Sequence, residues 1–498
     1  MLKMPVFMPA AETTDKVKMS FLQYLAEEDS ARSAQYQSYR DYDDGEHNTQ
    51  LTERMRQFLQ VKTGQEFNGN YCPVVIDALV EKLTVTGFEA GAQSAQLWQW
   101  WEASRMDGIQ DVVHRSAVRD GDTYLIVEYD NEKEQPAFID ELAYNGHEGV
   151  KVHYSKESRR TIEFASKRWQ IDHGDDAGYR RRLNLYYPNR IEKYISDSRM
   201  DEGNWQRYQA EDDPAWPLWW TRDGAEFGEP LGVPVIHFKN SDQGYNYGKS
   251  EIRSVIPLQD ALNKSIIDLV AAADTTGFRI FFMIGDDPSA LTVVPGTWIY
   301  TLRPPGGPNG AQIGHIPGED LSSLIKVIDK FTLLIAHVSR TPVSMFQITN
   351  QRAAEGTQKQ EESGLVNKAR KRHIYFGNAW EDAMAMARKL HNVFGPGPEL
   401  DENQIISTVW GDPEVRNEKE HIETIALKKE KLGIPLEVAW AEAGYSPEQI
   451  EEMKQSEEYQ ARLNLLRTGM VGPGQQPGQP ETNQDDQRQE EEEEGGDN

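Results

Sequence analysis

The pattern that comes nearest to a known ligand site is a glycine-containing loop at residues 244–250, Gly-Tyr-Asn-Tyr-Gly-Lys-Ser. A phosphate-binding loop of the Walker A type needs the spacing Gly-x-x-x-x-Gly-Lys-Ser/Thr, so that successive backbone N–H groups wrap a phosphate. Here Gln243 stands where the first glycine belongs, the glycines are four residues apart, and two tyrosines crowd the loop. The sequence also lacks the alternating strand–helix pattern of such a domain. The loop therefore predicts a tight turn leading into a helix, and nucleotide hydrolysis is disfavoured.

Other catalytic and metal-binding patterns fail as well. A segment starting at Asp41 has the carboxylates of a calcium loop, but an EF-hand needs Gly at position six and Glu at position twelve, where this chain has Glu46 and Thr52. The motifs H-E-x-x-H, G-x-S-x-G and a strand-following G-x-G-x-x-G do not occur. The one cysteine, Cys72, excludes an intramolecular disulfide and a cysteine-based zinc cluster. We therefore predict no catalytic residue, no cofactor and no metal site, and no enzyme activity.

One group of basic residues stands out in this acidic chain. It consists of Lys368, Arg370, Lys371 and Arg372, followed by His373, and it falls on a long predicted helix. At 3.6 residues per turn these side chains spread over most of the helix circumference. The pattern is compatible with a contact to nucleic acid, with ion pairs between subunits and with a solvated face, and the sequence leaves these open.

The elements that would position such residues belong to a long, acidic chain. Its 498 residues suggest about three domains, at ~150 residues per domain. Hydrophobic residues make up 38%, below the ~45–50% of an average globular domain, so we expect much of the chain to be solvated or buried against other subunits. The net charge of −28 argues against a protein that grips nucleic acid through its phosphate backbone.

The sequence also indicates a compartment and a disordered end. It has no run of about 18 apolar residues and no apolar core of a secretory signal, so neither a membrane span nor a leader is predicted. A single cysteine favours a reducing cytoplasm. Residues 471–498 carry nine acidic residues, one basic residue and one hydrophobic residue, a composition that predicts disorder. We expect this tail to act as a solubilising segment or to dock a basic partner.

Residues 1–249 show a mixed pattern of helices and strands. Helical spacing of apolar residues predicts helices at 50–61, 73–83 and 109–118, and the segment TYLIVEY predicts a strand at 123–129. Further strands are expected between residues 137 and 194, and several tryptophans in Gly- and Pro-rich surroundings predict hairpins with packed aromatic faces: Trp205, Trp216, Trp219 and Trp220.

The middle of the chain predicts two long helices with a small β-containing insert between them. Apolar residues at helical spacing mark the helices at 250–276 and 320–339. Ser250 is expected to cap the first helix, and Pro257 to kink it or to separate a short first segment. Such a pair of helices is only half covered by its own chain, which favours neighbouring subunits in a ring. The insert contains three predicted strands, at 278–284, 297–302 and 312–316.

A polar loop and a further long helix follow. The loop spans residues 341–357, and the helix spans 358–391, where Gly364 and Gly377 are expected to bend it. The remaining predicted elements are a strand at 404–409 and several small helices at 414–466.

Several segments follow one another in an order that is specific. The most distinctive are VPVIHFKN (233–240), YGKSEI (247–252) and IPLQDALNKSIIDL (256–269). Others are NYCPVVID (70–77), RDGDTY (119–124), AWEDAMAMA (379–387), VWGDPEV (409–415) and GIP (433–435). This series resembles the portal proteins of tailed phages of the siphophage type, and the resemblance covers about residues 60–455.

The resemblance implies an α+β portal fold that closes into a ring, normally of twelve subunits. It divides the chain into an α+β wing (1–249), a first stem helix (250–276), a small β-containing clip (277–319), a second stem helix (320–339), a tunnel loop (340–357), a long kinked wing helix with a returning strand (358–413), a helical crown (414–470) and the disordered acidic tail (471–498).

The function implied is a channel for DNA at one capsid vertex, used for packaging and for genome ejection. The implied partners are further copies of the chain, the terminase large subunit, head–tail adaptor proteins, the major capsid and scaffolding proteins, and double-stranded DNA that passes without sequence-specific binding. No membrane is involved, and the location is the virion after assembly in the cytoplasm of the host bacterium. A terminase-like packaging ATPase or another virion adaptor protein is the alternative, although the first needs an intact Walker A motif and the second has no reason to carry two helices around a clip.

The resemblance also assigns candidate residues. The tunnel loop, which would line the channel, contributes Gln347, Thr349, Asn350, Gln351, Arg352 and Glu355. The stem contributes charged residues that face the lumen or a neighbouring subunit, namely Asp260, Lys264 and Asp268, which are spaced as an exposed i, i+4 charge ladder, and Lys326 and Lys330. The basic group Lys368, Arg370, Lys371 and Arg372 is a candidate contact for DNA or a neighbour, and the clip would bind partners through Arg303, Pro304, Pro305 and Asn309.

Overall fold

A computed structural model describes most of the chain in two compact units, residues 1–414 and 415–498. The described residues are 30–47, 69–158, 160–172, 179–196, 205–209, 216–242, 244–276, 280–285, 298–302, 312–316, 321–346, 355–414, 418–445, 450 and 453–455. The predicted helix at 50–61 and the acidic tail lie outside them.

The first unit starts with helices and continues into two antiparallel sheets. In chain order its elements up to residue 239 are α1 (Ser30–Asp44), α2 (Cys72–Val80), β1 (Val85–Glu89), α3 (Ser94–Ala103), α4 (Met106–Asp120), β2 (Asp122–Asp130), β3 (Gln135–Leu142), β4 (Gly149–Tyr154), β5 (Ile162–Asp172), β6 (Tyr179–Tyr186), β7 (Arg190–Ser196), β8 (Trp205–Arg207), β9 (Leu218–Trp219) and β10 (Val235–Lys239).

Strand β2 is the centre of a three-stranded antiparallel sheet with the order β10-β2-β3. The predicted strand at 123–129 is therefore confirmed. Its successive residues from Tyr124 to Val127 are all buried, because helices cover the sheet rather than leaving one face in water. Helix α4 packs against both β2 and β3, and Gly121, at φ +97, makes the turn between α4 and β2.

A second sheet joins β4, β5, β6, β7 and β8 in sequence order, and β9 pairs with β7. All these pairs are antiparallel. One face carries a small core of its own that includes Trp205, with Trp216 packed against it. The predicted hairpins with packed tryptophans are thus present, since short strands around Trp205 and Trp219 both pair with β7.

The middle of the chain has the predicted helix–strands–helix order. Its elements are α5 (Ile256–Thr276), β11 (Ile280–Gly285), β12 (Trp298–Leu302), β13 (Gln312–Ile316) and α6 (Ser322–Ser339). Helices α5 and α6 pack against each other. Strand β11 lies between the other two, parallel to β12 and antiparallel to β13.

The predicted start of the first long helix at Ser250 is wrong. Helix α5 begins at Ile256, so Pro257 lies in the first turn, where its missing N–H has no intrahelical acceptor to lose, and it produces no kink. Residues 252–255 form turns, in which the Val255 N–H donates to the Ile252 carbonyl at 2.8 Å. Ser250 Oγ accepts a bond from the Ile252 N–H at 3.2 Å, so it stabilises this turn instead of capping the helix.

The longest element is helix α7 (Glu355–Phe394), 40 residues that continue unbroken through Gly364 and Gly377. It begins three residues before the predicted start and ends three residues after the predicted end. Its fully buried Phe376 and Trp380 pack against Phe238 of β10. Strand β14 (Ser407–Trp410) follows and pairs antiparallel with β1, which returns the chain to the start of the unit.

The second unit contains helices α8 (Glu418–Leu432) and α9 (Leu436–Glu442), as the small helices of the sequence prediction required. Gly433, at φ +64, ends α8, and Lys428 forms an ion pair with Glu442 of α9. In the part of the chain that the structure describes, no helix is both long enough and apolar enough to cross a bilayer.

Candidate functional site

The glycine-containing loop holds a carboxylate of the chain itself. The backbone N–H of Gly248 donates a 2.7 Å hydrogen bond to Oδ1 of Asp122, whose side chain is fully buried. A Cβ at Gly248 would lie 2.1 Å from the Gly121 carbonyl oxygen and 2.5 Å from that of Asn240, so the close approach of the backbones requires glycine. The geometry thus agrees with a tight turn before a helix. The close approach of the backbones, and not phosphate binding, explains why the second glycine of the motif is needed.

Asp122 receives three further hydrogen bonds from distant parts of the chain. Oδ2 accepts from the Tyr36 hydroxyl and from Arg32 Nη2, both at 2.7 Å, and Oδ1 accepts from His237 Nε2 at 2.8 Å. With Nε2 donating to Asp122, Nδ1 of His237 accepts the Tyr154 hydroxyl at 2.7 Å. Helix α1, strand β10 and the loop before α5 therefore meet at one buried acid.

These contacts keep the acid ionised. Burial on its own would raise the pKa of Asp122, but the hydrogen bond from His237, the charge of Arg32 and the hydrogen bond from the Gly248 N–H outweigh it and lower the pKa to about 2. A buried carboxylate with four donors is stable only while all four stay in place. Asp122 therefore fixes the loop before α5 to helix α1.

A second buried acid, Glu251, lies three residues beyond Gly248. Lys368 Nζ lies 2.8 Å from its Oε2, and Arg372 forms an ion pair with its Oε1. Arg372 Nε also donates to Asn240 Oδ1 at 2.6 Å. Burial would raise the pKa of Glu251, but the charges of Lys368 and Arg372 outweigh it and lower the pKa. We call Glu251, Lys368 and Arg372 the junction cluster.

The junction cluster joins three helical segments. Lys368 Nζ also donates a 2.6 Å hydrogen bond to the carbonyl oxygen of Ser339, the last residue of α6. Lys368 and Arg372 lie one turn apart on α7, and Glu251 lies in the turns that lead into α5. The end of α6, the start of α5 and the middle of α7 are thus held at one point.

The predicted basic group is divided by these contacts. Lys368 and Arg372 are buried in the junction cluster, whereas Arg370 forms an ion pair with Glu414, and both of those side chains are about half exposed. Lys371 is exposed, and none of the described ion pairs includes it. Three of the four candidates for a nucleic-acid or subunit contact therefore have partners within the chain, and Lys371 is the one without a described ion pair.

The chain that follows α6 is anchored for its first residues. Arg340 adopts a left-handed conformation, φ 57, and the Thr341 N–H donates back to the Ala336 carbonyl at 3.1 Å. Ser339 Oγ donates to Thr341 Oγ1 at 3.0 Å. Phe346 is buried and packs edge-on against Tyr71 at 5.5 Å. Beyond it, the predicted loop residues Gln347, Thr349, Asn350, Gln351 and Arg352 lie outside the described residues, and Glu355 is the first residue of α7.

The first turns of α5 are held by buried amides. Gln259 and Asn263 are fully buried. Gln259 Oε1 accepts the Tyr71 N–H at 3.0 Å, and Asn263 Oδ1 accepts the Gly69 N–H at 3.2 Å. Asn263 Nδ2 lies 2.6 Å from Nδ1 of His47, which suits a hydrogen bond. This part of α5 is therefore fixed to the rest of the first unit.

The predicted charge ladder on α5 lies on its outer side. Asp260 and Lys264 are exposed and Asp268 is half-buried. None of the described ion pairs joins them, and Asp260 Oδ1 instead accepts the Tyr42 hydroxyl at 2.6 Å. Their charges are therefore available for contacts outside the chain.

Helix α6 presents both charged and apolar residues to solvent. Lys326 and Lys330 are exposed. Beside them four large apolar side chains are between 39% and 47% exposed, namely Ile325, Val327, Leu333 and Val338. A helix with this much apolar surface in water is typical of an interface.

The clip candidates Arg303, Pro304, Pro305 and Asn309 lie outside the described residues, between β12 and β13. Among the described residues, no three His, Cys, Asp or Glu side chains are grouped so that they could hold a metal ion.

The sequence did not reveal Asp122, Glu251 or Asn240 as central residues. The i, i+4 spacing of Lys368 and Arg372 was a signal, because two cations on one helix face can share one acid. Their partner, however, is 117 residues from Lys368 in the chain, and no local pattern gives such a distance.

The chain is similar to known proteins over most of its length. The model of one family, described as phage portal protein, SPP1 Gp6-like, matches residues 67–463. The chain belongs to this family of phage portal proteins. Two curated relatives are the portal protein of Mycobacterium phage D29, 25% identical over 420 residues, and that of Mycobacterium phage L5, 24% identical over 427 residues. Each alignment covers 81% of this chain and 80% of the relative.

Membership of the portal family confirms the resemblance and gives the chain a structural role in the connector through which phage DNA is packaged. Portal proteins are structural components and not enzymes. The family match includes α2 to α9, so the junction cluster, Asp122 with its contacts to Gly248 and His237, and both long helices of the middle segment lie within it, whereas Arg32 and Tyr36 of α1 precede it.

Proposed function

We propose that copies of this chain close into a ring of twelve subunits at one capsid vertex, where the ring forms the channel for DNA packaging and ejection. The observation that carries this proposal is the portal family match over residues 67–463. The parts follow the family order: residues 1–249 form the wing, α5 and α6 the stem, and residues 277–319 the clip. Residues 340–357 form the tunnel loop, and α8 and α9 belong to the crown.

The surfaces of the two stem helices support ring formation. The apolar side chains that α6 exposes would be buried against the next subunit, which is the usual reason for such a surface. Lys326 and Lys330 of one copy can pair with Asp260 and Asp268 of its neighbour, because these outward charges are opposite in sign. A head-to-tail interface of this kind closes into a ring when its rotation allows.

The acidity of the chain supports a channel that DNA crosses without being held. Phosphate contacts from basic side chains would add affinity and slow the passage of DNA. The net charge of −28 opposes such contacts, and two cations of the basic group, Lys368 and Arg372, are already paired with Glu251. The residues of the tunnel loop and the outer face of α5 are the proposed lining.

The proposed partners follow from this position. The terminase large subunit and later the head–tail adaptor proteins would bind at the clip, and the major capsid and scaffolding proteins at the wing. The location is the virion vertex, after assembly in the bacterial cytoplasm and without a membrane. A packaging ATPase is disfavoured, because the loop that resembles a Walker A motif is occupied by Asp122. A simple adaptor has no need of two long helices around a small sheet.

Negative-stain electron microscopy of the purified protein tests the proposal. We expect rings with a central hole and twelvefold symmetry, and mass photometry should give a mass near twelve times 56.7 kDa. A protein that stays monomeric at every concentration and ionic strength would contradict it.

A further inference from the structure

The tunnel loop starts directly after the end of α6, at a point where that helix end contacts α7. Its first residue, Arg340, follows directly on Ser339, whose carbonyl oxygen accepts the Lys368 ammonium at 2.6 Å. Arg340 also lies beside α7 itself, since a Cβ at Gly364 would be 3.7 Å from the Arg340 Cβ. The start of the loop is thus fixed in relation to α7, the helix into which the loop returns.

The charges of the junction cluster explain why Lys368 reaches the end of α6. One carboxylate, Glu251, faces two cations, so the cluster has an excess positive charge in a buried place. The last carbonyls of a helix have no intrahelical partner and carry a partial negative charge. The Ser339 carbonyl therefore compensates the second cation, and Lys368 supplies the α6 end with a donor it would otherwise lack.

The two cations of the cluster have different tasks. Arg372 is bound to Glu251 and Asn240, both of which lie on the wing side of α5. Lys368 alone reaches the end of α6. Removing Lys368 leaves Glu251 paired with Arg372, whereas removing Glu251 would leave two buried cations without an acid, which is strongly destabilising. Lys368 can therefore be changed without stripping the buried acid of its partner.

We propose that Lys368 is a positioning residue for the tunnel loop: it fastens the end of the second stem helix, and with it the start of the loop, to the wing helix α7 and to the start of the first stem helix. A movement of either stem helix is passed through this tether to the loop. The inference rests on the proposed function for the loop's role in the channel, but the tether itself lies within one chain and is present in a monomer.

The test compares Lys368→Met with Lys371→Met by amide hydrogen exchange. Both remove one ammonium from α7, but Lys371 is exposed and outside the cluster. Loss of a charge-assisted hydrogen bond should speed exchange of the Arg340, Thr341 and Phe346 amides by about tenfold in Lys368→Met. Exchange around the buried Trp380 should be unchanged. Lys371→Met should exchange as the wild type does, and Lys368→Arg, which keeps a cation of similar reach, should restore most of the protection.

Two results would overturn the proposal. Equal exchange at residues 340–346 in the two Met variants would show that Lys368 does not hold the loop. A loss of protection that is as large around Trp380 as at residues 340–346 would show that Lys368 serves the fold as a whole.

A second measurement separates the tether from the function of the ring. In a packaging reaction, Lys368→Met should form rings as the wild type does, while the amount of DNA retained per particle falls at least severalfold, and Lys368→Arg should come close to the wild type. If the hydrogen-exchange results are as expected but the wild type forms no rings, the proposed function is refuted while the tether remains supported. Faster exchange with unchanged DNA retention would show that the tether does not serve packaging.

Discussion

Two buried carboxylates, Asp122 and Glu251, hold the segment between the wing and the first stem helix. They lie on either side of the backbone contact between Gly248 and Gly121, where no side chain fits. Asp122 binds helix α1 and strand β10, and Glu251 binds α7. Each acid is ionised because several donors surround it, and an acid that lost all its cationic partners would be an uncompensated charge in a poorly solvated place.

Asp122→Asn should destabilise the first unit by about 3 kcal/mol at neutral pH, because the amide cannot satisfy four donors and leaves Arg32 without its acid. The measurement is the urea midpoint of the tryptophan fluorescence transition. Asp140→Asn, which changes an exposed carboxylate on β3, is the matched control and should shift the midpoint little. A midpoint for Asp122→Asn equal to that of the control would contradict the buried network.

The loss of stability in Asp122→Asn should depend on pH. The pKa of Asp122 in the fold is about 2, below the ordinary value of 3.8, so its stabilisation is complete above about pH 4 and is lost as the pH falls through about 2. The difference in stability between the wild type and Asp122→Asn should therefore be constant from pH 5 to 7 and shrink by about 2 kcal/mol between pH 4 and 2. A difference that stays constant down to pH 2 would show that Asp122 is not held ionised.

Single residues of this kind could not be predicted from the sequence. The spacing around Gly248 disfavoured a phosphate loop, but nothing local identified Asp122 as the group that the Gly248 N–H binds. The basic group at 368–372 was visible as a cluster of charge, and only the fold shows that Lys368 and Arg372 share Glu251. Buried polar contacts over 100 residues apart depend on the complete topology.

At the scale of elements, helix α6 is the clearest case of a surface that its own chain leaves uncovered. Its inner side contains the buried Ile335 and Ala336, and α5 packs against the helix. Its outer side alternates cations with apolar residues that are close to half exposed. The helical spacing of the apolar residues in this segment accounts for both the inner and the outer side. For this reason the sequence predicted the helix and a surface that neighbouring subunits would cover.

Val338→Asp should prevent ring assembly without unfolding the monomer. Val338 is 47% exposed, so a charge is tolerated in water, but burial of that charge against a neighbour costs far more than apolar burial gains. We expect the concentration needed for rings to rise at least about tenfold, measured by mass photometry. Ser323→Asp adds the same charge to the first turn of the same helix and should leave assembly unchanged. If Val338→Asp forms rings at the same concentration as the wild type, this face of α6 is not part of the subunit interface.

Element types were predicted well where the hydrophobic repeat was long, and boundaries were predicted less well. Helix α7 and the pair α5 and α6 each carry several turns of regular apolar spacing. The start of α5 was misplaced by six residues, because the apolar pattern continues through Ile252 and Val255, which are buried in turns and not in a helix. Pro257 was the local sign of the true start, since proline is tolerated in a first turn.

The net charge of the whole chain determines how it can interact with DNA. At a net charge of −28, its long-range field repels a polyanion. Purified rings should therefore not retard linear double-stranded DNA in a gel at about 150 mM salt. Rings of Asp268→Lys, which place one new cation per subunit on the stem, are the control and should retard it. Salt-sensitive retardation by the wild type would contradict a channel that does not hold DNA.

Helix α1 is made long before its contacts can be completed. Its contacts are with residues far along the chain: Arg32 donates to the Gly248 carbonyl 216 residues away, and the Tyr42 hydroxyl donates to Asp260, 218 residues away. At a synthesis rate of ~5–20 residues per second, the partners of α1 leave the ribosome roughly 10–40 s after it. Folding rates fall as such non-local contacts increase. The nascent chain therefore passes through a long interval with the binding surface of α1 uncovered, when it depends on chaperones and on isolation from other copies.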